Sequence, residues 1–309
     1  MSNAGDFADD RPRMGVDFGG TRIKFASVIG GKIDRLVVLD TPKNNSAALL
    51  RSIADGVKAF QAQPVSVGVA IPGEVDEDGI CWRLPNVTGF EGVPISRELE
   101  KLLGCPVRIE NDGTSAALAE SKFGYGLQFQ DFLVVTLGTG VGGGLVLGGQ
   151  ARRGHLGFAA EIGHILIDRS ATAWLCHCGK TGCIESYAST RALLRYYSEA
   201  GGSANSVEEL ARAARDGDAE ATESFRRAGK ALGMGLCSAQ HLLDLDALIF
   251  TGGISAAFDL MTDSVREGLR ARAFAPPLSE LPLLVSELGP HAGVIGAAWL
   301  PSHFEGPRS

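Results

Sequence analysis

The chain has 309 residues, enough for one large domain or two ordinary lobes with ample core. Its 45% hydrophobic and 21% charged residues are those of a soluble globular protein, and no run approaches the ~18 consecutive apolar residues of a membrane helix, so no membrane partner is expected. A net charge of −7 without a basic block argues against nucleic acid, though not against a nucleotide, whose phosphates are held by backbone N–H groups and Mg²⁺.

In chain order, Met1 to Arg13 is polar and lacks the apolar core of a signal peptide, which predicts a cytoplasmic protein. Residues 1–12 read as a disordered leader or a tag remnant. Met14 to Phe18, Ile23 to Ile29 and Lys32 to Leu39 read as strands of a meander, broken at Gly19-Gly20 and Gly30-Gly31. Ser46 to Phe60 has helical spacing, with Leu49, Leu50, Ile53, Val57 and Phe60 on one face. Val65 to Ile71 is a buried-type strand ending at Pro72-Gly73. Val107 to Glu110 is another, running through Asn111-Asp112 into an Ala-rich helix, Thr114 to Lys122. A second start follows: Asp131 to Leu137 is apolar, Gly138 to Gly144 is glycine-dense, and Leu145 to Leu147 resumes a strand. The repeat of strand, glycine turn and strand suggests two related lobes. Ser206 with Glu209 forms a capping box. Phe225, Ala228, Leu232 and Leu236 mark another helix face. Leu245 to Phe250 is a strand ending at Thr251-Gly252-Gly253, Ser255 to Arg272 is helical, Leu283 to Ser286 is a strand, and Val294 to Leu300 is a terminal helix. Such alternation predicts an α/β architecture.

Several of these junctions carry residues with chemistry. In the run Asp17 to Lys24, Gly19 and Gly20 let backbone N–H groups face phosphate oxygens, Asp17 could hold Mg²⁺ through water, and Thr21 and Lys24 could reach anionic oxygens. A plain hairpin turn explains the same residues. The glycine run with Gly138, Thr139, Gly140 and Gly142 is neither a Walker loop nor a dinucleotide fingerprint, because strand-like residues follow it; a phosphate-facing hairpin is favoured. Gly252-Gly253 is a third such turn. Cys176, Cys178 and Cys183 fall within eight residues, and without a secretory signal they read as metal ligands. A closed zinc site takes four ligands, commonly Cys₃His. His164 is the choice for the fourth; His177, placed between two ligands, is the rival and should point away. Cys81, Cys105 and Cys237 read as small buried hydrophobes, and His155, His241 and His291 as ordinary residues. Asp112 stands where a strand becomes a helix. Helix N–H groups should keep it ionised and able to accept a hydroxyl proton, although an N-cap is the plainer reading. Glu161 and Glu185 flank the metal cluster in sequence and could accept hydrogen bonds from sugar hydroxyls; singly each reads as a surface acid.

Together these pieces resemble the ROK (repressor, open reading frame, kinase) sugar-kinase family, from about Arg13 to Leu300. The order of the Asp17-to-Lys24 turn, Pro72-Gly73, Pro85-Asn86, Glu110-Asn111-Asp112, the glycine run, Glu161-Ile162-Gly163-His164, the cysteine loop to Glu185, and Thr251-Gly252-Gly253 carries the resemblance. It implies an actin-like, ribonuclease-H-like ATPase fold of two α/β lobes with a cleft, the smaller from residues 13–122 plus 291–309 and the larger, with the zinc loop, from 123–290. It implies ATP-dependent phosphorylation of a hexose or N-acetylhexosamine, probed first with glucose at its 6-hydroxyl. Asp112 would be the general base, and Gly73, Asn86, Asn111, Glu161, His164 and Glu185 would line the sugar site. The two glycine turns would clasp the ATP phosphates with Mg²⁺, and Gly252-Gly253 would lie against the adenosine. His164, Cys176, Cys178 and Cys183 would hold structural Zn²⁺, and the protein would be a homodimer or homotetramer. One departure is Ala160, where the family usually has Gly. Alternatives are a sugar-binding or regulatory protein without catalysis, a polyphosphate-using kinase, and an N-acetylmannosamine or N-acetylglucosamine kinase, which Gly182 to Ser189 resembles. A repressor of the family would need a helix-turn-helix before Asp17, and no room for one is seen.

Overall fold

The computed structural model describes residues 11–20, 22–42, 46–61, 63–84 and 89–303. Thr21, Pro85 and Asn86, and Met1 to Asp10 of the expected leader, lie outside the described residues. The chain forms two compact units. One comprises Met1–Gln128, Gly144–Ala159 and His291–Ser309, the other Phe129–Gly143 and Ala160–Pro290. Residues 123–128 and Gly144–Ala159, expected in the larger lobe, fall in the first unit.

The first unit is built on a sheet of order β3-β2-β1-β4-β7. β1 (Arg13–Phe18), β2 (Arg22–Ile29) and β3 (Lys32–Asp40) form the expected antiparallel meander. Gly30 and Gly31, both at positive φ, make the tight turn that such a hairpin needs. β4 (Val67–Ile71) and β7 (Val107–Asn111) extend the sheet in parallel from β1. All five residues of β4 are buried, as befits a central strand covered on both faces. Leu49, Ile53 and Val57 of α1 (Ser46–Phe60) and Leu99 of α2 (Ile95–Leu103) share one core with Val16, Phe25 and Val69. A second cluster joins Ala70 to Leu118 of α3 (Asp112–Phe123) and to Ala297 and Leu300 of α9 (Ala292–His303). Here backbone meets backbone. A Cβ on Gly68 would lie 1.7 Å from the Ala297 carbonyl, and one on Gly296 would lie 1.7 Å from that of Ser115. A short ribbon, β5 (Glu74–Val75) with β6 (Cys81–Arg83), follows Gly73.

In the second unit β8 (Phe132–Leu137), β11 (Ala247–Thr251) and β12 (Leu283–Val285) run parallel. They belong to a sheet of order β10-β9-β8-β11-β12, with β9 (Val141–Leu147) and β10 (Gln150–Arg152); the chain passes into the first unit within β9. The glycine run is therefore a turn only as far as Gly140. Around the sheet lie α4 (Glu185–Ala188), α5 (Thr190–Glu199), α6 (Val207–Arg215), α7 (Ala219–Leu243) and α8 (Thr262–Arg272). Ser206 Oγ accepts from the Glu209 N–H at 3.2 Å, as its capping motif requires, while the Glu209 carboxylate accepts from Asn205 rather than Ser206. The helix expected over Ser255 to Arg272 is two pieces. A 3₁₀ run, Gly253–Leu260, has a non-helical Ala257, and α8 starts afresh at Thr262. Among the described residues no helix is long and apolar enough to cross a membrane.

Candidate active site

In the first unit β7 runs straight into α3. Asn111 is the cap: its Oδ1 accepts from Gly113 N at 2.8 Å and Thr114 N at 3.2 Å, and its Nδ2 donates to the Gly73 carbonyl at 3.3 Å. Asp112, the plainer N-cap candidate on sequence, is thus one residue inside the helix. Its Oδ1 accepts from Gly113 N at 2.8 Å. The helix N–H groups do not keep it ionised at its ordinary pKa, contrary to expectation. Burial pushes its carboxyl up to about 7, the Asp17 charge pushes the same way, and the Gly113 N–H and Lys24 oppose more weakly.

Asp17 and Lys24 are cross-strand partners, paired at 2.9 Å. Gly19 N donates to Arg22 O at 2.9 Å, closing the turn, and Thr41 Oγ1 donates to Gly19 O at 2.7 Å. A Cβ on Gly19 would meet Arg22 O at 2.9 Å, whereas around Gly20 nothing lies within 4 Å of that point.

The second unit repeats this pairing of a packed and an open glycine. Gly138 N donates to Gly140 O at 3.0 Å, bending the chain at the exposed Thr139. Gly138 has open space at its Cβ position. A Cβ on Gly140 would lie 2.5 Å from Glu185 Oε2, one on Gly142 2.6 Å from Thr136 Oγ1, and one on Gly143 2.5 Å from Ala160 O. At the end of β11 a Cβ on Gly252, whose φ is +94°, would lie 2.4 Å from Leu137 O, while Gly253 is open and exposed. Gly253 also lines a groove of about 420 Å³ with Val207, Ala211, Arg215, Ala256 and Ala257.

The metal-ligand candidates do gather. His164, Cys176, Cys178 and Cys183 offer donor atoms that all lie within 4.8 Å of one another. His164 Nδ1 is 3.7 Å from Cys176 Sγ, and the Sγ atoms of Cys178 and Cys183 are 3.7 Å apart. Tetrahedral bonds of ~2.3 Å to sulfur and ~2.0 Å to nitrogen would set about 3.8 Å between thiolates and about 3.5 Å from thiolate to imidazole, so the donor set fits Zn²⁺. The rival His177 is exposed, with Nε2 2.9 Å from Arg191 Nη1. The six cysteines form no disulfide. His164 Nε2 faces Glu161 Oε2 at 3.9 Å, leaving that nitrogen on the side opposite the thiols. Glu185 accepts from Cys176 Sγ at 3.3 Å and from Val141 N at 3.3 Å.

Two supports were missed on sequence. Trp174 stacks on Tyr187 at 5.0 Å and 10°, the Tyr187 hydroxyl accepts from Trp174 N at 2.8 Å and donates to Asp168 at 2.5 Å, and Arg195 covers Trp174. This brace holds the chain two residues before Cys176 and two after Glu185. The other is Glu110, wholly buried, whose Oε2 is 2.5 Å from Arg153 Nε and whose Oε1 accepts from Asn111 N at 2.9 Å. Burial raises the Glu110 pKa against the pull of Arg153. Neither support has a local motif: the partners are distant in sequence and of ordinary type.

Residues 13–303 match the family model described as ROK family. The chain belongs to the ROK family. Among its relatives, a glucokinase of Streptomyces coelicolor is 34% identical over 92% of this chain and 96% of that protein. An N-acetyl-D-glucosamine kinase of Vibrio cholerae serotype O1 is 30% identical over 93% and 98%. The crystal structure of a ROK family glucokinase from Streptomyces griseus in complex with glucose and AMPPNP matches with a TM-score of 0.84 at 33% identity, covering 93% of this chain and 98% of that one. The actin-like ATPase fold expected from the motifs is thus the fold of this ROK protein. Ala160 sits at φ +66°, a left-handed conformation that glycine takes without strain, immediately before Glu161.

Proposed function

We propose that this ROK protein transfers the γ-phosphoryl group of ATP to a hexose, at the 6-hydroxyl and with glucose as the leading substrate. The observation that carries the reading is Asp112: a carboxyl at a strand–helix junction, raised to about 7 and held beside Asn111 and Gly73. A base so placed is half ionised near neutral pH, where proton acceptance is most effective. Asp112 takes the hydroxyl proton as the sugar oxygen attacks the γ-phosphorus. Asn111, Glu161, His164 Nε2 and Glu185 bind and orient the other hydroxyls, and Gly73 lines the same site; Asn86, expected with them, lies outside the described residues. The turns at Gly20 and Gly138, where an added Cβ would meet nothing, face the phosphates, and the groove beside Gly253 takes the adenosine. Asp17 would hold Mg²⁺ through water, and the ion would supply neutralisation of the phosphate charge. His164 Nδ1 and the three thiolates would hold a structural Zn²⁺, which would tie the cysteine loop to the Glu161–His164 segment. Cytoplasmic residence and a homodimeric or homotetrameric state belong to the same proposal.

An assay of sugar-phosphate formation over glucose, fructose, allose, N-acetylglucosamine and N-acetylmannosamine tests it, with ATP and polyphosphate as donors and zinc measured on the same sample. Glucose is expected to give the highest kcat/KM, with ATP, at about one zinc per chain. A preference for an N-acetylhexosamine, which the 30% identity to the Vibrio cholerae kinase keeps in view, would move the substrate but keep the chemistry. No sugar phosphate formed with ATP from any of these sugars would overturn the reading.

A further inference from the structure

We propose that Arg153 is a positioning residue for Asp112, acting through the buried Glu110 to fix the Asn111–Asp112 step on which the proton acceptor stands. This rests on the kinase reading above. Glu110, the last residue but one of β7, has its side chain entirely removed from water. A carboxylate in that setting needs a partner with charge and hydrogen bonds. Arg153, just past β10, supplies the charge, its Nε 2.5 Å from Oε2 as an ion pair, and the other oxygen accepts the Asn111 N–H at 2.9 Å. The same guanidinium donates from Nη2 to the Asp76 carbonyl at 3.3 Å. Asp76 follows the Glu74–Val75 strand, and Gly73 before that strand accepts from Asn111 Nδ2 at 3.3 Å. Asn111 is therefore gripped at its backbone by Glu110 and at its amide by Gly73, and both grips lead to one arginine.

The loop that carries Arg153 is itself seated on that ribbon. Ala159 N donates to Arg153 O at 2.9 Å, and a Cβ on Gly157 would lie 2.5 Å from Val75 O. Stability alone is a poor reason for the pair, because burying two charges costs about what their attraction returns. Fixing geometry is the better one, since a displacement of about 1 Å at a reacting group costs roughly a hundredfold in rate. Arg153 and Glu110 themselves touch no reacting atom in this scheme.

Steady-state kinetics of Arg153→Met, Glu110→Gln and the double variant test the proposal, with thermal melting of each. Each single variant is expected to lower kcat roughly tenfold to a hundredfold while KM for ATP stays within about twofold. The double variant is expected to fall no further than the worse single, because both act through one connection. A kcat for Arg153→Met within about threefold of the parent overturns the proposal, as does a loss shared equally by KM for ATP, which marks a general structural defect. Should Arg153→Met not fold, the Glu110→Gln variant, nearly isosteric, decides by the same criteria. Should the parent phosphorylate no sugar, the kinase reading fails separately, and amide exchange then decides positioning. Exchange at Asn111 and Gly113 at least tenfold faster in Glu110→Gln than in the parent, with the second unit unchanged, supports it; equal exchange overturns it.

Discussion

A carboxylate that accepts a proton near neutral pH must be kept from ionising at its ordinary pKa, and at Asp112 burial does this, with the Asp17 charge second. Two consequences follow at this residue. Activity should rise with pH through about 7 and then level, since the ionised form is the base. The folded-state pKa is raised from 3.8, so the contribution of this group to stability is present below about 4 and is lost as pH rises through about 7. Asp112→Asn should therefore melt higher than the parent at pH 8 and no higher at pH 4, as scanning fluorimetry across pH would read; equal melting at pH 8 would count against the burial argument. The site was unevenly legible at this scale. Asp112 stood out because a strand ran into a helix there, and the thiols because they were clustered. His177 could be set aside only by seeing it at Arg191. Arg153 carried no signal, because it meets Glu110 only once β7 and the end of β10 are folded together.

At the scale of elements, glycine proved to have two meanings that a sequence prints alike. Most of the glycines between Gly138 and Gly144 are required by close packing, so β9 begins inside what looked like one long loop; Gly138 alone in that run is open. The same holds at Gly19 against Gly20 and Gly252 against Gly253. A contrast tests this. Gly296→Ala forces a Cβ to within 1.7 Å of the Ser115 carbonyl between α9 and α3, and should cost about 1–3 kcal/mol or more of stability. Gly138→Ala meets nothing and should leave the melting temperature in place while raising KM for ATP. A matching stability loss in both would contradict the distinction. The meander, α1, α3 and α7 were legible from period and caps. α2 was overlooked because it is short and starts directly after Pro94, and the break at Ala257 because apolar spacing runs on across it.

For the whole molecule, the repeat of strand, glycine turn and strand marks two units of one design, each with a mixed sheet and one open phosphate-facing turn of the proposed kind. Their differences carry the proposed chemistry. The first unit holds Asp17 and the raised Asp112; the second holds the thiolate–histidine cluster, its aromatic brace and the groove beside Gly253. Phosphoryl transfer asks mainly for positioning and charge balance, with a single proton to remove. That proton is the most exposed point of the proposed mechanism, so the kcat of glucose-dependent ADP release by Asp112→Asn, set against the parent at pH 8, is the direct measurement. A fall of at least ~10²-fold with KM for ATP unchanged is expected; a kcat within about tenfold of the parent would contradict Asp112 as the base.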